Sequence, residues 1–178
     1  EGYTAAVRRE FPDCHIGSHT RPNGVMSVSV TNGNGNGGKA GPMLAWMREL
    51  GLKFPIGSQR GGVGSSEKFI PASWLAAPRE MAAAILAALW DCDGHISVKH
   101  GVRYKTVSPT LAEDIRHLLL RLGVPSTIAR STYTGSDSVE RDAFDVLVNR
   151  FGAFADTVGR HLSHPAKREQ CALLVDRT

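Results

Sequence analysis

Nine residues constrain this chain more than any others: Leu86-Ala87-Ala88-Leu89-Trp90-Asp91-Cys92-Asp93-Gly94. The apolar stretch Met81 to Trp90 is far short of the roughly 18 residues that span a bilayer, and it ends in acids, so it predicts a buried helix. A helix ending in Asp-x-Asp-Gly projects its carboxylates where the last backbone carbonyls already make the potential negative. Two carboxylates there repel unless they share a cation. Hard divalent ions such as Mg²⁺ (or Mn²⁺) take oxygen ligands and keep several waters. Those waters, or a phosphate oxygen, complete the shell during phosphodiester hydrolysis. Upstream, Ala84, Ala87 and Ala88 form a small-residue stripe with Asp91 one turn further along. Such a stripe admits a close second helix and would set two acid-bearing ends side by side. The ligands of a calcium loop do not follow. Alone, the same letters also describe an Ala-rich core helix closed by an Asp-Gly turn, so the surroundings decide.

The surroundings are those of a globular chain. Its 178 residues are 42% hydrophobic and 21% charged, enough for one large domain or two small ones. A net charge of +4 is compatible with a nucleic-acid partner without establishing one. Cys14, Cys92 and Cys171 are far apart with no Cys-x-x-Cys pair, which argues against a disulfide framework or a structural zinc. The N-terminal residues show no signal-peptide pattern. The expectation is a cytoplasmic protein with no membrane partner.

Along the chain, Thr4 to Phe11 predicts a short helix. Cys14 to His19 and Val25 to Val30 predict strands joined at Pro22-Asn23-Gly24. Gly-rich loops, Thr31 to Gly41 and Gly57 to Ser66, flank a helix over Pro42 to Lys53. Pro78 opens the acid-bearing helix, which Gly94 breaks. His95 to His100 alternates as a strand, with Ile96 and Val98 on one face and His95, Ser97 and Lys99 on the other. Val102 to Val107 is the next strand, and Ser108-Pro109-Thr110 caps a helix over Leu111 to Leu122. Pro125 to Tyr133 and Ala143 to Asn149 are strands, and a last helix covers Phe151 to Leu162. The order is helix, strand, strand, helix, strand, strand, helix. The two halves overlay: Ala6 to Ile16 resembles Glu113 to Ile128, and Met26 to Asn32 resembles Ala143 to Asn149. Shifted back likewise, the counterpart of Asp93 falls before Glu1, so residues 1–67 are expected to be an incomplete first repeat and 68–178 a complete second one.

Three blocks in order carry a family resemblance: Lys68-Phe69-Ile70-Pro71, the motif Leu86 to Gly94, and Thr106 to Ala112 followed by Leu118 to Val124. Together they resemble a LAGLIDADG homing endonuclease domain of the kind inserted in inteins. In style the chain is similar to inteins of actinobacterial replicative DNA helicases. Ala88, Trp90 and Cys92 depart from the family's commonest letters. The resemblance implies an α+β fold of αββαββα repeats with an antiparallel β saddle on double-stranded DNA. It implies site-specific, Mg²⁺-dependent cleavage of both DNA strands. Asp93 would be the metal ligand, and Asp91 structural at the helix pair with Ala84, Ala87 and Ala88. Lys68 would stand near the scissile phosphate, with Lys167 in a comparable place after the last helix. Lys99, Arg103, Lys105 and Arg130 would contact DNA. The family needs one acid from each of two repeats. The second comes either from sequence upstream or from a second copy of the chain. Residue 1 is no splicing nucleophile and the last residues are not His-Asn, so splicing is expected to need an intein splicing domain and host protein in cis.

Other readings compete. Gly33 to Ala40 nearly matches a phosphate loop, but Ala40 stands where the Mg²⁺-binding hydroxyl belongs. His161-x-x-His164 and His15-x-x-x-His19 lack acid or cysteine partners at ligand spacing and predict surface histidines. Trp46, Trp74 and Trp90 predict core anchors. The serious alternative is a protein of the same fold that binds DNA without cutting it.

Overall fold

The computed structural model describes residues 3–20, 22, 26–31, 41–53, 64–134 and 138–175. They fall into two compact units, Glu1–Val63 and Gly64–Thr178. In the first, helix α1 (Tyr3–Glu10) leads to a hairpin of β1 (His15–Thr20) and β2 (Met26–Thr31), then to α2 (Pro42–Glu49). The hairpin is antiparallel, with His15 opposite Thr31 and Thr20 opposite Met26. Proline at the start of α2 lacks only an N–H that the helix leaves unpaired there. Trp46 is no core anchor: it is 39% exposed and meets the Phe11 ring at 5.8 Å. Residues 33–39 of the near phosphate loop, and Ala40, lie outside the described residues.

The second unit opens with a 3-10 turn at Ser65–Glu67 and the short α3 (Ala72–Leu75). It continues through α4 (Arg79–Cys92), β3 (Gly94–Ser97), β4 (Gly101–Thr106), α5 (Pro109–Arg121), β5 (Ser126–Thr134), β6 (Glu140–Val148) and α6 (Phe151–Thr157). A second 3-10 turn, Gly159–His161, leads into α7 (Pro165–Val175). From α4 to α6 the order is αββαββα, an α+β fold. The strands form one sheet ordered β3-β4-β6-β5, antiparallel throughout.

The alternation of β4 explains how the sheet meets its helices. Val102, Tyr104 and Thr106 are buried while Arg103 and Lys105 are exposed. The buried face joins Leu86 and Trp90 of α4, Ile115 and Leu119 of α5, and Val146 of β6 in one core. Each such large apolar side chain contributes about 1.5–3 kcal/mol relative to exposure. Trp90 is the hub, with its ring 5.5 Å from Tyr104 and 5.1 Å from Phe154. Next to it Gly94 has no room for a side chain: a Cβ there would lie 2.5 Å from the Trp90 ring. The glycine of the motif is therefore demanded by the packing of the helix end.

Two elements differ from expectation. Strand β3 stops at Ser97, because the Ser97 hydroxyl accepts from the His100 N–H (3.0 Å) and the Val98 N–H turns to Gln170 Oε1 (3.2 Å). The final helix is two: α6 ends at Thr157, and Pro165 opens α7, which buries only Cys171 and Leu174 and so shows weak periodicity. Among the described residues, no helix is long and apolar enough to cross a membrane.

Candidate active site and nucleic-acid face

Asp93 is the C-cap of α4, its N–H still bonded to the Leu89 carbonyl at 3.0 Å. Gly94 turns the chain at once into β3. This puts Asp93 on the wall of a cavity of about 410 Å³, shared with Lys68, Tyr104, Lys105 and Thr106. Neither the Asp93 carboxylate nor the Lys68 ammonium has a protein partner among the described residues. Two opposite charges thus line one cavity without being used up by the fold.

Lys68 reaches that position because its backbone is pinned on both sides. Its carbonyl accepts from the Ser108 hydroxyl at 2.6 Å, and the Ile70 N–H donates to Asp114 Oδ2 at 2.8 Å. Ser108 is fully buried and also accepts from the Leu111 N–H at 3.1 Å, capping α5 as its sequence predicts. One hydroxyl therefore ties the lysine segment to a helix start. Tyr104 lies opposite Gly94 in the sheet and is 4% exposed. Burial pushes its phenol up to about 12, with the negative fields of Asp93 and then Cys92 adding to that, so it stays protonated near neutral pH.

The first acid of the motif has other work. Asp91 accepts from the backbone N–H groups of Ser163 (2.7 Å) and His164 (3.1 Å), immediately before α7. Lys167 lies within α7 instead of after the last helix, and its Nζ is spoken for. It donates to the carbonyls of Trp90 (2.6 Å) and Asp91 (3.0 Å), with the Cys92 carbonyl at 3.5 Å. A cation at a helix C-terminus satisfies orphan carbonyls and offsets the dipole. The residues lining the cavity include Lys68 and Asp93 but not Lys167.

The chemistry of the donors tests the expected metal. Mg²⁺ is held by one or two carboxylates with waters and substrate phosphates. Asp93 fits as one such ligand, while both Asp91 oxygens are committed to the backbone N–H groups of Ser163 and His164. No group of three His, Cys, Asp or Glu that could cage an ion occurs among the described residues. Among the residues lining the cavity, Asp93 is the one carboxylate.

Register sorts the expected DNA contacts. Arg103 pairs with His95 and Leu147, and Lys105 with Asp145, on the sheet face away from the core. Lys105 Nζ donates to the Thr132 carbonyl at 3.1 Å and stands 3.7 Å from Asp145 Oδ2, which accepts from Ser131 Oγ at 2.6 Å. Arg130 pairs with Phe144, one residue out of phase with the Ala129–Asp145 pair, so it belongs to the opposite face. Lys99 is exposed in the turn after β3, not on a strand. The alanine stripe is also divided: Ala87 is buried, whereas Ala84 and Ala88 are exposed. His95 carries an imidazole shifted down by burial and by the cations Arg103, His100 and Lys167. His161 Nε2 stands 3.3 Å from Glu80 Oε2 at the surface.

Comparison with known proteins bears on the same segment. Residues 80–161 match the LAGLIDADG-like domain family. A replicative DNA helicase DnaB from Rhodothermus marinus is 38% identical over 93 residues, 49% of this chain and 9% of that protein. A replicative DNA helicase DnaB from Nostoc sp. is 33% identical over 93 residues, 49% of this chain and 10% of that protein. A probable translation initiation factor from Thermococcus kodakarensis is 38% identical over 66 residues, 36% of this chain and 6% of that protein. The match thus spans about a tenth or less of the length of these relatives. With the αββαββα order and the acid-ended helix in place, residues 80–161 are similar to the LAGLIDADG-like domain family.

Proposed function

We propose that the second unit is one half of a site-specific, Mg²⁺-dependent endonuclease that cuts double-stranded DNA. The observation that carries this reading is the free carboxylate of Asp93 and free ammonium of Lys68 on one cavity wall, beside an outward sheet face bearing Arg103 and Lys105. A bound Mg²⁺ (or Mn²⁺) would neutralise phosphate charge and make a water acidic enough to attack. Asp93 would hold the ion. Lys68, exposed on the cavity wall, places a positive charge against the phosphate. Arg103 and Lys105 neutralise DNA phosphates and reach base edges in the major groove, which fixes the register of the cut.

Cutting both strands needs a second acid. The αββα order of the first unit supports reading residues 1–67 as an incomplete first repeat, with its acid supplied from upstream or by a second copy. Related segments in a helicase and in a translation initiation factor, each about a tenth or less of its protein, are what an insert shared by unrelated hosts would give. An intein splicing domain and a host protein in cis are the implied partners.

The test is cleavage of a plasmid bearing the uninterrupted host site, with Mg²⁺, by the natural full-length chain. Wild type should linearise it, and Asp93→Asn should bind but not cut. Binding without nicking by the wild type supports the second reading, a DNA-binding protein of this fold, which the single free carboxylate favours. Equal cutting by Asp93→Asn sinks the metal assignment.

A further inference from the structure

Tyr104 shares the cavity wall with Asp93 and Lys68. Its ring is fixed by Trp90 at 5.5 Å and by the core around it, and its backbone pairs with Gly94, next to Asp93. Where the ring stops, the hydroxyl has no hydrogen-bond partner among the described residues. The hydroxyl is not among the buried side-chain atoms left unpaired, so it opens on the cavity while the rest of the ring is core. A second hydroxyl on this wall, Thr106 Oγ1, already accepts from the Ser108 N–H at 3.1 Å. Tyr104 is thus a rigidly held, neutral donor beside an ammonium and a carboxylate, all three without partners among the described residues.

We propose that the Tyr104 hydroxyl is a direct contact to the scissile phosphate, donating a hydrogen bond to one of its non-bridging oxygens. The inference rests on the endonuclease reading above and assigns a further catalytic group to that site. A phosphodiester presents two non-bridging oxygens, and Lys68 Nζ and Tyr104 Oη are among the donors that line the cavity for them. The proton stays on Tyr104 throughout. The hydroxyl gains strength as charge builds on the phosphate, and it is already in place, so no reorganisation is needed.

The experiment compares wild type, Asp93→Asn and Tyr104→Phe of the full natural chain in single-turnover cleavage of the uninterrupted host site. Tyr104→Phe keeps the ring packing, so its melting temperature and DNA binding should match wild type while its cleavage rate falls by on the order of 100-fold. A phosphorothioate at the scissile position weakens a hydrogen bond to the replaced oxygen. The ratio of wild-type to Tyr104→Phe rates should therefore shrink for one of the two sulfur diastereomers. A rate loss whose ratio is the same on all substrates means that Tyr104 acts only through packing, and overturns the proposal. Wild-type rates from Tyr104→Phe, while Asp93→Asn is dead, overturn it and leave the endonuclease reading standing. If wild type itself does not cut, that reading falls and the proposal with it.

Discussion

Lys167 and Asp91 hold two helix ends together by reciprocal exchange. The Lys167 ammonium donates to the backbone carbonyl of Asp91 at 3.0 Å, and the Asp91 carboxylate accepts from the His164 N–H at 3.1 Å, one turn before Lys167. Each side chain satisfies backbone groups that the other helix leaves unpaired. The end of α4, and with it Asp93, is thereby fixed to α7 without using Asp93 itself. The division of labour between the two acids of the motif follows from this geometry.

Lys167→Met should therefore act first on stability. Removing a cation that serves the last carbonyls of α4 should cost about 1–2 kcal/mol. Asp91→Ala should cost a similar amount, and the double variant should cost less than the sum, because the two residues share one junction. Chemical denaturation of the four proteins measures this. An unchanged midpoint for Lys167→Met would show that the ammonium does not hold the helix end.

Ser108→Ala tests the anchoring of Lys68. The change leaves the Lys68 carbonyl and the Leu111 N–H without their common partner, in a position that is fully buried. A loss of about 1–3 kcal/mol in stability is expected, with a lower cleavage rate at temperatures where the variant is still folded. Ser108→Thr keeps the hydroxyl and should recover part of both. Full cleavage by a destabilised Ser108→Ala would separate the cap from the placement of Lys68.

His95 gives the stability a dependence on pH. Burial, followed by Arg103, His100 and Lys167, holds its folded pKa below the 6.5 that it regains on unfolding. Below that value the unfolded chain takes up a proton that the folded chain does not, so the contribution is complete above 6.5 and is lost as pH falls through the folded value. His95→Gln should flatten this acid limb. Melting temperatures at about pH 7.5 and about pH 5.5 decide it, and parallel slopes for the two proteins would remove His95 from the account.

Much of the second unit is legible in the sequence because strong local signals agree. The acid-ended helix and the Ser108 cap each point to the observed element. Asp93 and Lys68 stand out by motif and do share a cavity. What stays hidden depends on distance in the chain. Nothing local to Pro165–Val175 announces that Lys167 reaches back to Trp90 and Asp91, and α7 buries too few residues to show a period. Tyr104 is concealed by a correct rule: inward residues of an alternating strand are core, and a phenol obeys that rule up to its last atom. Ser108 reads as a cap from its place before Pro109, but its second bond, to Lys68, spans the α4 and β4 segments. Arg130 falls on the other sheet face from Arg103 and Lys105, which single basic letters do not announce, since one residue of phase moves a side chain across the sheet.

That phase makes a last prediction, which separates three basic residues that composition treats alike. Arg103 and Lys105 stand on the outward face, whereas Arg130 shares its phase with Ile128 and Phe144. If the outward face lies on DNA, each of the first two neutralises a phosphate or reads a base edge, and a released counterion accompanies each phosphate contact. Arg103→Ala and Lys105→Ala should each weaken binding and, where the contact is to phosphate, reduce the slope of log affinity against log salt by about 1. Arg130→Ala should leave the slope near that of wild type, since its strand position turns it away from the groove. Lys105 also holds the Thr132 carbonyl and neighbours Asp145, so Lys105→Ala is compared with Lys105→Arg, which keeps the charge. Titrations of the host-site duplex at several salt concentrations measure all four variants. A slope change for Arg130→Ala as large as that for Arg103→Ala would mean that the DNA does not lie on the outward face alone.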